Sequence, residues 1–274
     1  MELTLRSGTC KLCHSDGELR DSHYIPKGAY RLIQRETGLP PVLAKHDVII
    51  RTSDQIKDHI LCPTCEDRFS KNGEKWVLEY CHREGKGFKL KELIDAASPL
   101  CDNDGLKVYS ASAIPDIKID KLTYFVSSIM WRGSAHDWKL GENRISLGKY
   151  EEELRKYLLG EAGFPRNAAF QVSIIPDSQD WNLVMFPYGG RHQGSWQYRF
   201  LFMGILFIFF FGRIDANIRA LCTFPVSKGP FGTVLVDSPI LVDDKAIQHL
   251  ALDSEQLLAN SKIINLPELG GQRE

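Results

Sequence analysis

The chain has 274 residues, 43% of them hydrophobic and 25% charged, an ordinary composition for one large globular domain or two smaller ones. With 34 Lys+Arg against 35 Asp+Glu and a pI near 6.7, it lacks the overall positive charge of a nonspecific nucleic-acid binder, so any nucleic-acid contact has to be local. Seven cysteines, an odd number, and a start (MELTLRSGTC) without an apolar signal segment argue against a secreted disulfide framework and for a cytoplasmic location.

Cys10-Lys-Leu-Cys13 comes first along the chain, and Cys62-Pro-Thr-Cys65 follows after 48 residues. Two thiolates at i and i+3 can face one tetrahedral ion, and two such pairs close a four-cysteine zinc set. A redox pair or cysteines packed in a core are the plainer readings of either motif alone. Two motifs together, with Pro63 at a helix start, favour structural zinc. His14 and the Cys81-His82 pair rank lower as ligands, because four cysteines already complete the set. A knuckle near the chain start and another at a helix N-terminus predict a treble-clef-like unit ordered by its ion.

Between the knuckles runs Leu19-Arg-Asp-Ser-His-Tyr-Ile-Pro-Lys27. The Ile-Pro step favours extended backbone, which puts His23 at a strand-to-loop corner, as a functional group or an ordinary surface histidine. After the second knuckle, Glu66, Ser70 and Glu74 would share a helix face if a helix ran through Asn72-Gly73, a dipeptide that reads as a helix stop.

Turn formers cluster at residues 98–118 and mark a boundary between residues 1–100 and 101–274. Beyond it, 121–132 has the apolar spacing of a helix with one buried face, and 146–160 reads as a helix capped by Ser146 and ended by Gly160. Trp131-Arg132 and His136-Asp-Trp138 suit either a packed helix end or a nucleic-acid contact. From Ala168 the texture changes to short apolar pieces that predict a β-meander covered by the helices. Tyr188-Gly-Gly-Arg-His192 reads as a turn with two donors. The run from Phe200 to Gly212 is too short for a spanning helix of ~20 residues, so a buried strand pair or core helix is expected and no stable membrane span. Residues 234–242 suggest an edge strand, 246–264 a closing helix, and the GGQRE tail should fray.

The order CxxC, then a histidine with an apolar residue and proline, then LCxxC entering a helix resembles the zinc-stapled branch of the HNH (ββα-metal) endonucleases, over residues 8 to 75. DSHYIPKGAYR, QIKDHILCPTCEDRFS and YFVSSIMWRGS together look like a bacterial HNH-endonuclease-like group, over most of the chain. The resemblance implies an α+β protein: an HNH-like ββα zinc module at 1–100, then a helix-plus-β-meander domain at 101–274. It implies His23 as general base for phosphodiester hydrolysis, Glu66 as ligand of a catalytic Mg or Mn ion, and Lys27 and Arg31 as contacts to a nucleic acid, DNA first. Two departures weaken it. Ser22 stands where the family has an acidic metal ligand, and no asparagine precedes Leu61, where Gln55 and Asp58 are the nearest polar residues.

The expected function is therefore a metal-dependent endonuclease. The alternative is a non-catalytic zinc module, a degenerate HNH fold that binds nucleic acid or a protein partner. A third reading is a membrane-associated effector anchored by 200–212.

Overall fold

The computed structural model describes residues 6–45, 48–81, 83–84, 87–103, 106–138, 145–174, 183–192, 195–214, 222, 234–237 and 264–265, and these form a mixed α+β protein. Strands β1 (Arg6–Thr9) and β2 (Asp16–His23) make a hairpin whose tip carries the first knuckle. Pro26 then precedes helix α1 (Lys27–Thr37), which ends on Gly38 at φ 70°, a left-handed position that suits glycine. Strands β3 (Val42–Lys45) and β4 (Val48–Arg51) leave this unit, and β5 (Lys57–Leu61) returns to pair antiparallel with β2. Helix α2 (Pro63–Phe69) starts directly from the second knuckle, with Pro63 in the first turn, where a missing N–H costs nothing.

Asn72-Gly73 does not stop the helix. A π-helical turn at Ser70–Glu74 carries α2 into α3 (Lys75–Tyr80). Gly73 is there because helix α5 (Ile119–Ala135) passes against it: a Cβ would lie 2.8 Å from the Phe125 nitrogen. The glycine marks a close approach, which the sequence signal alone does not separate from a cap.

A short hairpin, β6 (Arg83–Glu84) and β7 (Gly87–Phe88), and helix α4 (Lys89–Asp95) close the first hundred residues. The turn-rich stretch beyond holds strands β8 (Cys101–Asn103) and β9 (Leu106–Ser110) before α5. Helix α6 (Lys149–Leu159) is capped by Gly148, not by Ser146, and ends at Gly160 in the left-handed region. Then come β10 (Ala168–Ile174), β11 (Leu183–His192), β12 (Ser195–Phe202), β13 (Ile205–Gly212), β14 (Val234–Asp237) and β15 (Ile264–Asn265).

The large sheet runs β15-β4-β3-β11-β12-β13-β10-β14-β9-β8. Its middle, β11-β12-β13, is an antiparallel meander. Two strands from the first hundred residues, β3 and β4, lie in this sheet, with β3 parallel to β11. The expected edge strand near 234 is interior: β14 runs parallel to β10 and antiparallel to β9. The closing helix expected at 246–264 falls outside the described residues, apart from Ile264 in β15.

The run from Phe200 to Gly212 is a strand pair turned by Met203 and Gly204 at φ 53° and 80°, the double positive φ of a tight hairpin. Both faces of β13 are buried, which explains a continuous apolar run where a half-exposed strand would alternate. Phe125 of α5 sits edge-on to Phe200, Phe202 and Phe207 at 6.5, 5.0 and 6.2 Å, joining helix layer to sheet. No helix among the described residues is long and apolar enough to cross a membrane. Phe209 is fully buried and stacked on Phe170 at 5.8 Å. Losing such a ring costs about 3–5 kcal/mol before any charge is desolvated, so Phe209→Asp should drive the expressed protein into the insoluble fraction. Normal yield in the soluble fraction would show that the strand is not a core element.

Candidate functional site

Each cysteine pair is placed by backbone hydrogen bonds. The Cys10 amide donates to the Ser15 carbonyl at 2.9 Å and the His14 amide to the Cys10 carbonyl at 2.8 Å, closing the first knuckle. The Lys11 amide then donates to the Ile60 carbonyl at 2.9 Å, tying the hairpin tip to β5. At the second knuckle the Cys65 and Glu66 amides both point at the Cys62 carbonyl.

As a result the Sγ atoms of Cys10, Cys13, Cys62 and Cys65 all lie within 4.8 Å of one another, with Cys13 and Cys62 at 3.8 Å. Four thiolates around a tetrahedral ion at ~2.3 Å stand about 3.8 Å apart, so the donor set fits zinc. Without an ion the set shares its protons. The Cys65 thiol, hydrogen-bonded to Cys10, holds Cys10 down at about 4 with help from nearby amides, while Cys65 itself is pushed up. Burial pushes Cys62 up as well. A divalent ion replaces the remaining protons, so binding releases them. His14 is exposed, and Cys81 is buried outside the cluster. The side chain of His82 is outside the described residues.

His23 closes β2, opposite Lys57 of β5. Its Nε2 lies 2.7 Å from Oε1 of Gln55. With that oxygen accepting, Nε2 carries the proton and Nδ1 keeps a lone pair. Burial lowers the imidazole pKa, against Gln55 and the nearby Asp21, so His23 is neutral at pH 7. Strand alternation puts Asp21 and His23 on one face, with His59 and Lys57 as their cross-strand neighbours. Asp21 is paired with Lys57.

The next residue points the other way. Ser22 is fully buried against α2, where its hydroxyl meets the Glu66 carboxylate. Glu66 also faces the guanidinium of Arg132, which is 1% exposed and joins Glu74 Oε1 through Nη2 at 2.7 Å. The guanidinium lies 4.6 Å over the Phe69 ring. Burial pushes the Glu66 carboxyl up against the pull of Arg132 and Ser22. Glu66 and Glu74 thus share a helix face, turned inward onto a fixed cation. His23 and Glu66 sit on opposite sides of β2.

His23 and Glu66 do not converge: Glu66 lies near Arg132 without a hydrogen bond to its guanidinium, and Asp21 is paired with Lys57. Among the described residues, the four cysteines form the sole group of three or more His, Cys, Asp or Glu with converging ligand atoms. His136 joins its Nε2 to Asp58 Oδ2 at 3.0 Å, and Trp131 and Trp138 are buried, so this stretch is a packed helix end.

Lys27 and Arg31 are exposed on α1 together with Gln34 and Arg35, while Ala29, Tyr30 and Ile33 are buried. Positions 27, 31, 34 and 35 fall within one arc of a 3.6-residue helix, so the outer face of α1 is a basic stripe. It starts four residues after His23, and Lys27 is near enough to act on that imidazole. Comparison with family models, curated proteins and solved structures gives no match.

Proposed function

We propose that the chain is a zinc-organised binding protein that contacts the phosphate backbone of nucleic acid through the outer face of α1, in a degenerate HNH-like ββα unit made of β2, β5 and α2. The observation that carries this reading is the pair Lys27 and Arg31, exposed on the outer face of α1, which begins four residues after His23. It supplies the local positive surface that a chain of net charge −1 needs for such a contact. The placement of Glu66 against Arg132 supports a binding role over a catalytic one.

Hydrolysis of DNA is the second reading, and one observation favours it: the neutral His23 imidazole keeps an open lone pair on the half-exposed side of β2. In that reading His23 draws a proton from water, and Lys27 and Arg31 hold the phosphate. Its activity would rise with pH through a midpoint below the ordinary histidine value of 6.5, since burial favours the deprotonated ring.

Labelled single- and double-stranded DNA, titrated between 50 and 200 mM salt, tests both readings. Lys27→Glu with Arg31→Glu should weaken binding and flatten the log–log salt slope by roughly 2, one per lost phosphate contact. Binding that ignores both charges removes α1 as the contact. If wild-type protein with magnesium or manganese cuts DNA, and His23→Ala loses ~100- to 10,000-fold in rate at unchanged zinc content, hydrolysis becomes the function.

A further inference from the structure

The face of the large sheet that packs against the helices ends in an exposed tryptophan. On β12 the residues Trp196, Tyr198, Phe200 and Phe202 alternate onto one face. Tyr198, Phe200 and Phe202 are buried, whereas Trp196 is 41% exposed. Its cross-strand neighbours are Arg191 on β11 and Phe211 on β13. Phe211 is covered by Tyr150 at the start of α6, with ring centroids 4.9 Å apart. The helix layer therefore stops one residue short, and the indole overhangs the space beyond it.

That space is a cavity of about 320 Å³, lined by Trp196, Arg191, Lys149, Tyr150, Ser146 and the backbone of Gly148 and Gly212 among others. A Cβ at Gly148 would meet no atom within 4 Å, so the wall is open on that side. Arg191 and Lys149 are both exposed, and the Lys149 ammonium lies 5.2 Å from the Tyr150 ring centroid. One flat, partly exposed aromatic surface beside two cations within a cavity of small-ligand size suits a ligand with a planar ring and negative charge. Tyr198, whose ring is parallel to that of Trp196 within 2°, is anchored through its hydroxyl to the Ser146 carbonyl. The platform is thus braced from below.

We infer that this cavity binds a nucleotide, its base stacked on Trp196 and its phosphate held by Arg191 and Lys149. The site lies on β11, β12 and the start of α6, and none of its residues belongs to the α1 stripe or the His23 face. It stands or falls independently of them. The nucleotide is either free or an unpaired residue of a strand, since the base and phosphate chemistry is the same.

Isothermal titration calorimetry with AMP, adenosine and a short single-stranded DNA distinguishes the sources. Saturable binding of AMP that weakens roughly 5- to 150-fold in Trp196→Ala, the range for one stacked base, supports the site with a free nucleotide. Trp196→Phe should keep most of the affinity. AMP should bind more tightly than adenosine, and Arg191→Ala with Lys149→Ala should erase that difference. Binding of the oligonucleotide alone, with the same dependence on Trp196, supports an unpaired nucleotide of a strand. Should Trp196→Ala fail to fold, the doubly neutralised variant carries the test through its AMP-over-adenosine preference. If neither AMP nor the oligonucleotide responds to Trp196 or to the two cations, the inference is overturned.

Discussion

Replacing Cys65 by Ser should strip the bound metal and melt the β1-β2-β5 sheet with α1 and α2, the largest loss expected from any single side chain here. The unit is small, and an ion held by the four cysteines would join its two halves, the hairpin tip at Cys10–Cys13 and the helix start at Cys62–Cys65. Structural zinc contributes apparent binding free energies of about 10–16 kcal/mol at pH 7 in small finger domains, comparable to a typical domain's whole stability. Wild-type protein should therefore contain one zinc per chain by elemental analysis, and Cys65→Ser none. Hydrogen exchange should then lose protection in β2, β5 and α2 first. Acid should have the same effect, because each thiolate has to be free of its proton to bind. The zinc-dependent stability is present at neutral pH and is lost as the pH falls and protons compete for the sulfurs. Wild-type protein with no zinc and four freely titrating thiols would remove the metal centre altogether.

The metal set was legible because its chemistry is local: two residues three apart, twice, define it without any knowledge of the path between. The aromatic strand pair was legible for a similar reason, since Phe200 to Gly212 is too short to span and too apolar to be exposed. What escaped depends on contacts between distant segments. Gly73 looks like a helix stop until Phe125 is seen against it. Tyr188-Gly-Gly-Arg-His192 looks like a turn but is strand, and Gly189 is required because a Cβ there would lie 2.1 Å from the Gln197 carbonyl. Strand β14 looks like an edge because its partners, β10 and β9, lie on either side of it only in space. The order of β3 and β4 beside β11 is likewise a tertiary choice that no local pattern in residues 42–51 announces. Arg132 gave one signal: an arginine inside a helix whose neighbours are all buried needs a partner in the core.

Arg132→Ala is the second large effect, and it follows from that partner. The guanidinium is 1% exposed, salt-bridged to Glu74 and facing Glu66, and its Nη1 reaches the Tyr24 carbonyl at 3.5 Å. Trp138 Nε1 donates to the Arg132 carbonyl at 2.8 Å, so side chain and backbone are both built into the joint between α2, α3 and α5. Removing the cation leaves buried carboxylates uncompensated, which typically costs about 3–5 kcal/mol. Glu66, already raised by burial, would then take up a proton more readily in the folded state than in the unfolded one. The deficit should therefore be smaller at pH 6 than at pH 8, since folding gains a proton where the carboxyl values are raised. Replacing the pair together, Arg132→Met with Glu74→Met, should recover part of the loss, because no bare Glu74 charge remains to be desolvated. Chemical denaturation of zinc-loaded protein at the two pH values measures all three variants. An Arg132→Ala midpoint equal to wild type at both would mean that the cation holds nothing in place, and that Glu66 is free to turn toward another partner.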